Sequence, residues 1–117
     1  MSPHRPKVVD KVWGREIWYA NNKEKNYCGK VLEIDSGQKL SMHFHLLKDE
    51  MFYVLEGCCD IVIIETSQAK EICSRLSSGD CYHIKQGLPH RLIAITDCKI
   101  LEASTFHRDS DSYRVYR

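Results

Sequence analysis

Turn signals recur every eight to twelve residues along this chain, and no window between them sustains a helical period. Asn21-Asn22-Lys23, Asp35-Ser36-Gly37, Ser77-Ser78-Gly79-Asp80, Gly87-Leu88-Pro89 and Thr96-Asp97 bound short segments rich in β-branched and aromatic residues. That spacing suits a sandwich or barrel and disfavours alternating strand and helix. The chain is therefore expected to be all-β and mainly antiparallel. Its 117 residues are enough for one core and too few for two. Residues 1–7, with Pro3, Pro6 and the basic Arg5 and Lys7, read as an N-terminal arm. Residues 8–107 read as the β-barrel domain, and 108–117 as a charged, aromatic C-terminal tail.

Met51-Phe52-Tyr53-Val54-Leu55 and Ile61-Val62-Ile63-Ile64 are apolar on both faces. A strand with one wet face alternates, so both faces of these two are expected to be dry. One face lines the barrel. The other needs a second sheet or a second subunit, and a homodimer is the expectation. The 17 Lys and Arg against 16 Asp and Glu leave a net charge of +1, with no footprint for nucleic acid or an anionic membrane. No stretch has the length of a signal-peptide core or approaches a membrane span, so a cytoplasmic location is expected. Without a secretion signal the six cysteines, which form no C-x-x-C pair, are read as reduced thiols used as small apolar residues.

The chemistry concentrates in Gly37 to Gly57, GQKLSMHFHLLKDEMFYVLEG. His43 and His45 are two apart in an alternating segment, so on a strand both imidazoles leave one face. Leu46 to Asp49 then form a loop of hairpin length, and if His45 and Glu50 are cross-strand partners, Glu50 joins that face. Two imidazole nitrogens and a carboxylate oxygen suit a divalent first-row ion such as Zn, Fe, Mn, Ni or Co. His90, just after the Gly87-Leu88-Pro89 turn and at the start of an apolar run, offers a fourth ligand. Four protein ligands leave coordination positions open, as a working site requires.

These residues resemble the cupin family. Its first motif is Gly, five residues, His-x-His, three or four residues, Glu, six residues, Gly, and Gly37, His43, His45, Glu50 and Gly57 fit it without a gap. In the second motif Gly79, Gly87 and His90 match, while Lys85 replaces the usual Pro and Ala94 the usual Asn. The resemblance implies a double-stranded β-helix, a jelly-roll barrel with a metal near its mouth. Trp13-Gly14 near the start and Lys48 two before Glu50 are similar to the type II phosphomannose isomerase branch, whose members bind an aldose and ketose pair. That likeness implies aldose-ketose isomerisation of a sugar or sugar phosphate through a metal-stabilised enediolate. Met51-Phe52-Tyr53 departs from the branch, as does the lack of a fused transferase domain.

Glu56 shares a strand face with Glu50 by parity and is a candidate base, and Lys48 is a candidate for holding a phosphate or hydroxyl. Arg91 is considered for the same role, although it should point away from the His90 face. One of Tyr82 and His83 should enter the cavity, on a register the sequence leaves open. Two other readings stand beside the isomerase. An iron-dependent dioxygenase would want a dry pocket lined by Trp18, Phe44, Phe52 and Tyr53, and a non-catalytic sugar- or metabolite-binding module would need no base.

Overall fold

The computed structural model describes residues 2–117. Its strands are β1 Lys7–Lys11, β2 Gly14–Asn22, β3 Tyr27–Ile34, β4 Met42–Phe44, β5 Glu50–Glu56, β6 Cys58–Glu65, β7 Lys70–Ser77, β8 Cys81–Ile84, β9 His90–Ala94, β10 Cys98–Ser104 and β11 Tyr113–Tyr116. The helical element among the described residues is one 3-10 turn, Asp109–Asp111. Strands β1-β2-β3-β10-β5-β8 form one antiparallel sheet and β11-β4-β9-β6-β7 a second. The chain is an all-β jelly roll. Residues 113–116, within the expected tail, pair with β4.

Alternation explains the core. Leu32 and Ile34 of β3, Phe52 and Val54 of β5, Ile61 of β6, Leu92 of β9 and Ile100 of β10 all point between the sheets. On β5 they alternate with Met51, Tyr53 and Leu55, which are exposed. The second face of β5, expected to be dry, is therefore open in a single chain. At the β5–β6 corner Gly57 has φ 92°, and a Cβ there would run into the carbonyl oxygen of Asp97. A side chain has neither the backbone conformation nor the space, so glycine makes this turn. All six cysteines are free thiols. No helix of the described residues is long and apolar enough to cross a membrane.

Two local expectations are corrected. His45 and Glu50 are not partners in a hairpin, because β4 and β5 lie in different sheets. Strand β4 is already flanked by β11 and β9, so the chain leaves its sheet after Phe44 and crosses to the other. Glu56 does not share the face of Glu50 either. Lys99 stands opposite Glu56 and Ile100 opposite Val54, which makes Leu55 an extra residue. This bulge reverses the parity of whatever follows it.

Candidate metal centre

His43 on β4 lies directly opposite His90 on β9, and His45 follows one residue beyond the end of β4. Their rings gather closely, with centroids 4.5 Å apart for His43 and His90 and 5.1 Å for His43 and His45. Each Nδ1 is spent on a backbone carbonyl: Ser41 at 2.8 Å for His43, Asp111 at 2.9 Å for His45 and Leu88 at 2.9 Å for His90. The proton is thereby held on Nδ1, and the Nε2 lone pairs are left for a cation. One ligand atom from each ring lies within 4.8 Å of the others. Two opposed metal–nitrogen bonds of about 2.1 Å span about 4.2 Å, so the triad is close to the size of one ion.

Glu50 approaches two of the three histidines from the facing sheet. Its Oε2 is 3.3 Å from His45 Nε2 and 3.9 Å from His90 Nε2. Burial brings each of His43, His45 and His90 down to about 4, so all three are neutral near pH 7. Burial, then Glu102, pushes the Glu50 carboxyl up to about 8. Glu50 Oε2 and His90 Nε2 are both buried without a hydrogen-bond partner. A buried carboxyl that keeps its proton near pH 7, set against imidazole nitrogens with free lone pairs, would give up that proton to a divalent ion, and the donor set fits such an ion.

A second polar layer stands behind the ligands. Asp111 is buried, and its carboxylate accepts the backbone N–H groups of Leu46, Leu47 and Lys48 at 3.0 to 3.2 Å. Together with the bond from His45 to its own carbonyl, Asp111 fixes both the ring and the crossing loop. Lys48 turns inward, only 3 % exposed, and donates from Nζ to Glu102 Oε2 at 2.6 Å and to His107 Nδ1 at 3.0 Å. Burial alone would raise the Glu102 carboxyl, but Lys48 and Lys30 outweigh it and hold it down to about 2. Burial would likewise lower the Lys48 ammonium, yet Glu102 and Glu50 raise it. The His107 ring lies 6.2 Å from that of His45.

Other sequence candidates fall elsewhere. Glu56 is exposed on the outer face, 3.9 Å from Lys99 Nζ, and so loses its place as a base for this site. Tyr82 registers with Phe52 and packs against the core, whereas His83 is exposed and bonds Asp49 at 2.7 Å. Arg91 is buried on the side away from the triad, its Cζ 5.4 Å from the Tyr116 ring, with Nε and Nη2 unpartnered. Phe44 stacks on Tyr113 and Tyr53 faces outward.

The cupin-domain family matches residues 30–104, well over half of the chain. The chain is a cupin. Solved cupin-fold structures superpose closely on it. The capsular polysaccharide assembling protein CapF from Staphylococcus aureus does so with a TM-score of 0.83 at 17 % identity, over 98 % of this chain and 35 % of that one. A Bacillus subtilis oxalate decarboxylase variant gives 0.80 at 14 % identity, over 94 % and 30 %. KdgF from Halomonas sp. gives 0.74 at 19 %, over 89 % and 91 %. This cupin thus spans about a third of the first two and most of the third. At these identities the likeness is one of fold. No curated protein matches the chain.

Sequence reasoning on this cupin passed over Glu102, Lys30, His107 and Asp111. For Glu102 a signal existed. Ile100, Glu102 and Ser104 share one face of β10, and a single acid among inward positions of an apolar strand marks a buried charge that must be paired. Asp111 and His107 carry no local pattern. Replacing Asp111 with Ala strands three backbone N–H donors. It is expected to cost about 2 kcal/mol and to weaken divalent-ion affinity about 10- to 100-fold through the loosened His45 ring. Thermal unfolding and metal titration of this variant check both effects, and unchanged affinity would remove Asp111 from the support of the site.

Proposed function

We propose that this cupin binds a divalent ion through His43, His45, His90 and Glu50 and acts on a sugar or sugar phosphate as an aldose-ketose isomerase. The observation that carries this reading is the charged lining behind the ligands. Lys48, Glu102, Lys30 and His107 converge there, and of the four aromatics a dry oxygenase pocket would use, Phe44 and Tyr53 turn to the outer faces while Phe52 and Trp18 stay on the inner side, Trp18 against Lys30 and His107. A hydroxyl-rich substrate finds partners in such a lining, and an apolar one does not. Trp13-Gly14 near the start and Lys48 two residues before Glu50 carry the likeness to the phosphomannose isomerase branch on which this reading leans.

A divalent ion held by His43, His45, His90 and Glu50 would supply positive charge for developing negative charge on a sugar's oxygens. The protein's own groups then have distinct tasks. Glu102, held down to about 2, is too weak a base to take a proton from carbon, and serves instead to keep Lys48 charged and in place. Lys48 is the cation that steadies negative charge on the substrate, with His107 bonded behind it.

The test is metal analysis followed by incubation with mannose 6-phosphate and other sugar phosphates in heavy water, under air and under argon. Deuterium is expected at the carbon next to the carbonyl, at the same rate in both atmospheres. Turnover that requires oxygen would replace the isomerase by a dioxygenase. Saturable sugar binding with no deuterium uptake would replace it by a binding module.

A further inference from the structure

The outer face of the five-stranded sheet carries a buried charge of its own, apart from the metal centre. Arg91 follows His90 on β9, so its side chain leaves the opposite face of the sheet. Its registered partner on β6 is Val62, and the pairing of His43 with His90 brings Met42 of β4 alongside it. Met42 and Val62 are buried although they stand outside the cluster between the sheets, and Arg91 is 6 % exposed. Tyr116 of β11, opposite Met42, covers this spot. Its ring lies 5.4 Å from Arg91 Cζ, and its hydroxyl donates to Glu71 of β7. Beneath that cover Arg91 Nε and Nη2 are both buried without a hydrogen-bond partner. These are the two nitrogens whose N–H bonds point the same way and form the side-on fork of a guanidinium. Arg75 on β7 uses the same two on the Asp60 carboxylate, Nε to Oδ1 at 2.9 Å and Nη2 to Oδ2 at 3.3 Å.

We propose that Arg91 anchors a site for a carboxylate-bearing small molecule on the outer face of the five-stranded sheet, with Tyr116 as its cover. An arginine cannot shed its proton to escape burial, so a dry fork calls for an anion. Two oxygens in one plane match it, as the pair of Arg75 and Asp60 illustrates on the same sheet. One guanidinium balances one negative charge, whereas a phosphate dianion would leave a charge unpaired beside Met42, Val62 and the tyrosine ring. Those apolar walls favour a carboxylate carried on an apolar or aromatic body. The cover is placed to lift. Tyr116 ends an edge strand and is 37 % exposed, and the register of β11 on β4 slips between Arg114 and Tyr116. Its hydroxyl is tied down by Glu71, and breaking that hydrogen bond frees the ring to swing outward and open the fork.

Benzoate, acetate and inorganic phosphate, titrated into the full chain at constant ionic strength, test the site by calorimetry and by the Nε–H resonance of Arg91. Benzoate should bind with a Kd of about 1 mM and move that resonance, with acetate weaker and phosphate weakest. Arg91→Met leaves the four candidate metal ligands in place and should keep the metal content of the wild type. It should lose benzoate affinity about tenfold or more. Without any ligand it should melt about 5 °C higher than the wild type, because an apolar chain of similar length replaces a buried charge that has no acceptor. Tyr116→Phe should bind benzoate about fivefold more tightly, since no hydroxyl then holds the cover down. Benzoate that leaves the Arg91 resonance unmoved, including benzoate bound at the metal centre, would overturn the proposal. So would phosphate preferred over benzoate, or an Arg91→Met variant that melts lower, which would mean that the chain itself pairs Arg91 in solution. A Tyr116→Phe variant that binds no more tightly would refute the cover.

Discussion

A His45→Ala variant should lose at least about 100-fold in divalent-ion affinity while keeping its fold. His45 stands past the end of β4 and contributes nothing to the hydrophobic cluster, so its removal leaves the packing between the sheets intact. What disappears is the nitrogen nearest to Glu50, at 3.3 Å, and a donor to the Asp111 carbonyl. The loss of one hydrogen bond costs about 1 kcal/mol, far less than a domain's stability. Elemental analysis beside far-ultraviolet circular dichroism separates the two effects. Full metal content in a folded variant would sink the proposed centre.

The second large effect concerns Lys48. Replacing it with Met removes the nearest cation from a carboxylate that is itself 4 % exposed, and such a broken buried pair costs about 3 to 5 kcal/mol. The pH dependence carries a signature of its own. Glu102 is held at about 2 in the fold, below the ordinary glutamate value near 4.3, so it adds stability that is fully present above about pH 4.3 and is lost as pH falls toward 2. Without Lys48, burial is opposed only by Lys30 and the hydrogen bond from the Ser104 hydroxyl, and the Glu102 carboxyl rises. The variant should therefore lose less stability than the wild type between pH 5 and pH 3, although it is weaker at pH 7. Urea unfolding at a series of pH values measures this, and parallel curves would show that Lys48 does not hold Glu102 ionised.

How much of this was legible depends on the range over which each feature is encoded. The alternation and turn spacing announce an all-β barrel, because each strand and turn is written in its own few residues. His43, His45, Glu50 and His90 are also visible in spacing. The route by which Glu50 meets the histidines is not, since a hairpin and a crossing between sheets use the same loop length. Glu56 shows the limit of parity. A single bulged residue, Leu55, reverses the face, and nothing in MFYVLEG marks it. Lys48 and Glu102, or His45 and Asp111, are brought together only by the folded barrel. Their pairing is a property of topology.

Asp111 has a consequence for the growing chain. When His90 has been made, all four candidate ligands exist, but the carboxylate that gathers Leu46, Leu47 and Lys48 has not yet been added. Strand β4 likewise lacks β11 until residues 113–116 emerge. During translation, then, the polypeptide passes through an interval in which the ion-binding residues are present and the loop that aligns them is slack. A segment made after His90, around Asp111 and residues 113–116, thus sets the geometry of a motif that precedes it.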